Sequence, residues 1–243
     1  MLAIRLRHPM LRDVIRECYL FSNIDEGSLD LLSRLSTIAR YEAERSIFAA
    51  GDEPDGLRVI ISGSIRIWIS DAEGRELTLA LLEQGDPFGE ISVLDKLPRT
   101  ANATALEKSE CLFLPTDAME IALDNSPQFA HHLIQLLCEI LRRNTEAMGS
   151  FAFLGLDGRL AQKLLDLAMT YAEQKDDGAY FKRKFSQNEL AHMLGVTREA
   201  LNKRLNALAH DGMITLTNGL ISIPDVKALA TRASAAERLN RGQ

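Results

Sequence analysis

Residues 87–101 read PFGEISVLDKLPRTA. A carboxylate, Glu90, follows Gly89 directly, and nine residues later comes a guanidinium, Arg99, with a hydroxyl, Thr100, beside it. Two arrangements suit these types: a surface ion pair, or a cradle in which the guanidinium fork grips an anion while the carboxylate accepts from a hydroxyl. A second chemical set lies near the other end of the chain. Arg198, Glu199, Asn202 and Lys203 are spaced to share the exposed first turns of a helix. An arginine fork matches guanine, a glutamate accepts from the cytosine amino group, and asparagine or lysine reaches further base edges. The alternative for this set is a solvated helix with a Glu199–Lys203 pair one turn apart.

Charge favours the first option for the second set. The chain carries a net charge of −6, yet between Phe181 and Asn206 six cations stand against two anions. An acidic protein can bind nucleic acid through such a patch alone. Apolar residues at 46% and charged residues at 26% mark a folded, soluble chain and exclude wholesale disorder. Runs such as LLCEILRR and LTLALLEQGD are cut by charges well short of the roughly 18 apolar residues of a membrane span, and MLAIRLRHPMLRDV has no signal-peptide core. The expected location is cytoplasmic, with no membrane partner.

Metal and enzyme chemistry find no foothold. Cys18, Cys111 and Cys138 never approach Cys-x-x-Cys spacing, so they read as reduced structural thiols. His131 and His132 are adjacent, which on a helix turns them about 100° apart and away from a common metal. There is no Gly-rich phosphate loop and no nucleophile–histidine arrangement, so the chain is not expected to be an enzyme.

The elements that must position the two sets follow from periodicity. A helical stretch lies near Asp30 to Ile38, and residues 45–114 alternate with period two: Ile65, Ile67 and Ile69, then Leu77, Leu79 and Leu81. Gly51, Gly56, Gly63, Gly74 and Gly85 fall between these runs, where turns need positive φ. This predicts an antiparallel β sandwich or roll. Ser126-Pro127 opens a long helix to about Gly149, with Phe129, Leu133, Leu136, Leu137, Ile140, Leu141 and Met148 forming a stripe wide enough for both its own domain and a second copy. FAFLGLDG breaks it as a hinge near 149–158, and another helix runs from Arg159 to about Glu173, burying Leu160, Leu164, Leu167 and Ala168.

Ser186 and Glu189 form a capping box for a helix that ends at Gly195, and Thr197 caps the next, which buries Leu201, Leu205 and Leu208. Small Ala191 permits a close crossing, so this is a helix-turn-helix. FKRKF before it reads as a strand and ITLTNGLISI after it as a hairpin on Asn218-Gly219, a wing whose Lys182 and Lys184 would lie near phosphates. The class is α+β, with a β roll at 1–125, a dimerisation helix at 126–149 and a winged helix-turn-helix domain at 150–243.

FGEISVL with PRTA, FAFLGLDGRLAQKLL and GVTREALNKRL make the chain similar, over nearly its whole length, to the cyclic-AMP receptor protein and fumarate-nitrate regulator (CRP/FNR) superfamily of bacterial transcription factors. The resemblance implies a cyclic-nucleotide-binding roll in which Gly89 and Ile91 offer backbone groups. Glu90 would take the ribose 2′-hydroxyl, while Arg99 and Thr100 would hold the cyclic phosphate. It implies base contacts from Asn144 and, across a homodimer, from Thr145. The resemblance favours cyclic AMP, since bacterial cyclic-AMP receptors often carry a hydroxyl residue, serine, at the position of Thr100; cyclic GMP is close behind, because a threonine there is often associated with guanine and Asn144 stands where a hydroxyl is usual. No metal, haem or iron–sulfur cluster is implied: Cys18 has no clustered neighbours, and no histidine lies between His8 and His131. For DNA the resemblance implies a palindrome of TGTGA-like half-sites read by Thr197, Arg198, Glu199, Asn202 and Lys203, the lysine replacing a usual arginine, and it implies RNA polymerase as a partner. The other reading is a member that binds DNA without ligand, its roll purely structural.

Overall fold

A computed structural model describes residues 2–240, with side chains described for 10–142 and 144–233. The chain divides into two compact units, the first running to Leu141 apart from Ser70–Thr78, which group with the second from Arg142 onward. Among the described residues no helix is long and apolar enough to cross a membrane.

The first unit opens with helices α1 (Leu2–Glu17) and α2 (Glu26–Leu35). Asp25 caps α2 by accepting from the Ser28 N–H at 2.9 Å. Arg12 reaches from α1 to Glu26 and, at 2.7 Å, to Asp30, clamping the pair. The sequence reading placed one helix here, several residues too late. It missed α1 because that helix's stripe of Leu11 and Ile15 is short and set among arginines, and only packing against Leu29 and Leu32 reveals it.

The roll comprises two antiparallel four-stranded sheets. In the first, β1 (Thr37–Tyr41), β8 (Ser109–Pro115), β3 (Gly56–Ser62) and β6 (Pro87–Phe88) lie in the order β1-β8-β3-β6. In the second, β2 (Ser46–Phe48), β7 (Asn102–Ala105), β4 (Ile65–Ser70) and β5 (Glu76–Leu82) lie in the order β2-β7-β4-β5. Ile60, Ile65, Phe88, Ala103, Ala105 and Cys111 fill the interior, as the period-two alternation requires. Gly51, Gly63, Gly74 and Gly85 do take positive φ. Gly56 does not: it opens β3, where a Cβ would come within 2.2 Å of the Leu114 carbonyl oxygen, so close strand approach rather than a turn requires it there. Burial pushes the Cys18 and Cys111 thiols up to about 12, which keeps both protonated and inert.

Helix α3 (Glu90–Asp95) follows β6, and α4 (Thr116–Asn125) follows β8. The long helix α5 (Pro127–Phe153) then continues through Gly149, and the break falls only at Leu154 and Gly155. One glycine costs a helix only about 1 kcal/mol, which a run of this length absorbs. The predicted stripe on α5 resolves into two. Phe129 and Leu133 are buried in the unit's own core beside α1 and α2. Ile134, Leu137, Leu141 and Met148 recur at steps of three, four and seven and stay exposed, Leu141 by 66% and Met148 by 72%. That is the heptad spacing of a coiled-coil seam.

The second unit packs α6 (Leu156–Tyr171), α7 (Gln187–Leu194), α8 (Arg198–His210) and α9 (Val226–Asn240) beside a four-stranded antiparallel sheet. Its strands β9 (Ala172–Lys175), β10 (Gly178–Phe181), β11 (Thr215–Thr217) and β12 (Leu220–Ile223) lie in the order β11-β12-β10-β9. Leu160, Leu164, Leu190, Leu201, Leu205 and Ile223 form its core. The wing hairpin turns on Asn218 and Gly219 at φ 54° and 79°, as the dipeptide predicts. FKRKF is corrected: only Phe181 belongs to a strand, where its ladder with Ala172 ends, and Lys182 to Lys184 leave the sheet as a loop, although Phe181 and Phe185 stay buried and Lys182 and Lys184 exposed as alternation expects.

Candidate functional site

The cradle is built where β6 turns into α3. Gly89 takes φ 81°, and a Cβ there would meet the Arg99 Nη1 at 2.7 Å, so glycine is required twice over. The backbone of Arg99 is fixed by its N–H to the Asp52 carbonyl and by its own carbonyl accepting from the Gly51 N–H, each at 2.8 Å. Its side chain, only 1% exposed, donates from Nη1 to the Gly89 carbonyl at 2.7 Å. Nη2 donates at 2.6 Å to both the Gly56 carbonyl and Asp55 Oδ1. The guanidinium lies over the Phe48 ring, 4.4 Å from its centroid. Its Nε is buried with no hydrogen-bond partner.

Asp55 is shared. Its carboxylate also accepts two bonds from Arg58, at 2.6 and 3.0 Å, and Arg58 in turn donates to the Tyr41 hydroxyl at 2.9 Å. Burial works against the Asp55 carboxylate, but hydrogen bonds and charge from Arg58 and Arg99 outweigh it and hold its pKa below the usual carboxylate range. Two guanidiniums against one carboxylate leave a net positive charge, with two of the five Arg99 N–H groups, that of Nε among them, spent on no hydrogen bond. Such a site suits an anion. Asp55, Arg58 and Phe48 are absent from the sequence-predicted set; the Asp-Gly pair opening β3, followed by an arginine on a buried strand, was the signal available.

Glu90 does not pair with Arg99. Its half-buried carboxylate lines an enclosed, mainly apolar cavity with Tyr19, Leu20, Leu94, Leu133 and Ile140. Desolvation raises its pKa above the ordinary value, against the opposing pull of Arg99. A carboxyl whose folded pKa is raised stabilises most below its unfolded pKa, and that contribution is lost as pH rises through the folded value. Glu90→Gln is therefore expected to melt at a higher temperature than the parent near neutral pH, with the gap closing toward about pH 4. Thermal melts across that range check this, and a variant melting lower at neutral pH would contradict it. Ile91 and Thr100 are exposed beside the cradle. Asn144 and Thr145 are exposed on the stretch of α5 grouped with the second unit.

The second set is organised as the caps predict. Ser186 Oγ accepts from the Glu189 N–H at 3.1 Å, and Glu189 accepts from the Ser186 N–H at 2.7 Å. Gly195 is left-handed at φ 63°, and Thr197 Oγ1 caps α8 by accepting from the Ala200 N–H at 3.2 Å. Arg198, Glu199 and Lys203 are exposed on the first turns of α8, and Asn202 is half-buried among them. Two cations of the patch serve packing instead. Arg183 lies over Tyr171 and Phe185 and pairs with Glu189 at 3.4 Å, and Arg204 pairs with Asp157 at 3.3 Å. Lys182 and Lys184 stay exposed, Lys182 3.3 Å from Glu173. Gln187, which sequence reasoning overlooked, accepts at Oε1 from Arg198 Nε at 3.1 Å and from Asn202 Nδ2 at 2.9 Å.

Both halves have counterparts among known proteins. The family model for the cyclic nucleotide-binding domain matches residues 38–126, and that for the Crp-like helix-turn-helix domain matches 158–232. The cyclic AMP receptor protein of Thermus thermophilus is 31% identical over 210 residues, covering 86% of this chain and 94% of its own. The chain belongs to the CRP/FNR family. A CRP-like cAMP-activated global transcriptional regulator of Mycobacterium tuberculosis is 29% identical over 221 residues, 91% of this chain and 99% of that protein. The crystal structure of a CRP/FNR-family transcriptional regulator from Thermus thermophilus superposes with a TM-score of 0.65 at 26% identity, covering 82% of this chain and 100% of that one. As a CRP/FNR member the protein is a DNA-binding transcription regulator carrying a cyclic nucleotide-binding domain, and it is not an enzyme.

Proposed function

We propose that the protein is a homodimer whose DNA binding is switched by a cyclic nucleotide held in the roll, cyclic AMP before cyclic GMP. The observation that carries this is the Arg99 cradle: a buried arginine with an unspent Nε, in a cluster of two cations and one anion. The cyclic phosphate neutralises that excess, Thr100 adds a hydroxyl, and the Gly89 and Ile91 backbone flanks the ligand. Glu90, awkward as an anion beside an apolar wall, gains a donor in the ribose 2′-hydroxyl. Asn144 and the partner's Thr145 meet the base along the α5 seam, so the ligand favours one arrangement of that seam. It acts only through its differential affinity for the two dimer states.

In each protomer α8 then enters the major groove with Thr197, Arg198, Glu199, Asn202 and Lys203 over a TGTGA-like half-site, and Lys182 and Lys184 lie along phosphates. The two recognition helices sit about one DNA turn apart, roughly 34 Å. On this reading the roll extends to residue 125, the dimerisation helix starts at 126, RNA polymerase is the downstream partner and the cytoplasm is the location. Support for cyclic AMP comes from relatives that are themselves named for it.

One observation favours a second reading, in which the roll works without ligand: Asp55 already fills the Arg99 fork together with two carbonyls. Calorimetric titration of the full-length chain with cyclic AMP and with cyclic GMP separates the two. Saturable binding of cyclic AMP at one site per chain, with cyclic GMP weaker, is the expected result; no heat with either nucleotide would establish the second reading.

A further inference from the structure

We propose that Gln187 is a positioning residue for base specificity, fixing which edges of Arg198 and Asn202 face the DNA. The proposal rests on the DNA-reading role of α8. Gln187 is the first residue of α7, locked in place by the Ser186–Glu189 capping box, and Arg198 and Asn202 are one turn apart on α8. One oxygen, Gln187 Oε1, accepts from both.

The orientation of this amide is dictated by chemistry. Arg198 Nε can only donate, so the Gln187 oxygen must face it and the Gln187 amino group must point away. With Nε committed, Arg198 presents its two terminal amino groups end-on, the geometry that spans guanine O6 and N7. Asn202 spends one amide hydrogen on Gln187 and keeps Oδ1 and a second hydrogen, the pair that a bidentate adenine contact uses. Sharing one acceptor ties the two reading arms together, so their rotamers are set before DNA arrives and less side-chain freedom is lost on binding. Among the described residues Gln187 Oε1 accepts from Arg198 and Asn202 and not from Glu199 or Lys203, which are exposed on the same helix, so the discrimination assigned to Gln187 concerns the bases met by Arg198 and Asn202.

The test uses the full-length protein with saturating cyclic AMP. Duplexes are selected from a library with randomised half-sites, and the winner is competed against its single-base variants and against a non-specific duplex. Gln187→Leu removes the acceptor and is expected to lower discrimination about tenfold or more at the positions read by Arg198 and Asn202, leaving non-specific affinity unchanged. Gln187→Glu keeps an acceptor oxygen and is expected to retain the base profile while weakening binding to every duplex, because its charge opposes the phosphates. A Gln187→Leu protein with the parent's profile overturns the proposal. So does one that loses affinity equally for specific and non-specific duplexes, which would make Gln187 a phosphate contact. A parent protein that selects no sequence removes the reading of α8 and the proposal with it, an outcome distinct from a selective parent and an unaltered variant.

Discussion

Arg99→Leu is expected to lose nucleotide binding and stability together, because one guanidinium serves both. The substitution strands the Gly89 carbonyl, leaves the Gly56 carbonyl with only a 3.3 Å bond from Arg58, and removes one of the two cations holding Asp55. Asp55 is half-exposed and keeps Arg58, so the main cost is the unsatisfied buried acceptor, about 1–3 kcal/mol. Two charge-assisted bonds to a phosphate, at about 1.5–3 kcal/mol each, correspond to a loss of affinity of at least a hundredfold. Arg99→Lys separates the two roles. It keeps the charge but not the planar fork, so it is expected to fold and still bind cyclic AMP at least tenfold more weakly. Melting curves and calorimetry on both variants check this. A folded Arg99→Lys chain with parental affinity would remove Arg99 from the ligand site.

Leu141→Glu has the second large effect. Leu141 is 66% exposed on a single chain and lies on the row with Ile134, Leu137 and Met148, whereas Phe129 and Leu133 on the same helix are buried in their own unit. A charge in the middle of a coiled-coil seam is repelled by its symmetry mate and desolvated if the seam closes. The expected outcome is a folded monomer by sedimentation, with its melting temperature near the parent's. Its affinity for a palindromic duplex should fall by about 10²–10⁴, the avidity lost when two half-sites are no longer bound by one linked pair. A Leu141→Glu protein that stays dimeric would place the interface elsewhere.

Local signals were the most legible in the sequence. The Ser186–Glu189 box, Gly195, Thr197 and the Asn218-Gly219 turn are each decided within a few residues, and each takes the form predicted. The roll was legible because period-two alternation and glycine turns are also local. What escaped depends on partners distant in sequence. Gly56 and Arg99 are 43 residues apart, and the bond between them, with Asp55 alongside, exists only once β3 lies beside β6 and its turn. The opening choice between an ion pair and a cradle took a third form for the same reason: Arg99 does form an ion pair, but with Asp55, and Glu90 faces apolar side chains instead. Counting cations overstated the DNA-facing charge, since Arg183 and Arg204 are drawn into aromatic and carboxylate contacts within their unit. The single stripe on α5 proved to be two, because helical spacing shows that a face is apolar and not which neighbour covers it.

A cyclic nucleotide in the Arg99 cradle is expected to control how tightly the α8 reading face holds DNA. The most direct measurement is the affinity of the full-length protein for a palindromic TGTGA-half-site duplex, by fluorescence anisotropy at fixed salt, with and without cyclic AMP. Coupling free energies between sites are typically 1–3 kcal/mol, so cyclic AMP is expected to tighten binding by about 5–150-fold, an effect that disappears in Arg99→Lys. Equal affinity with and without the nucleotide would contradict the account.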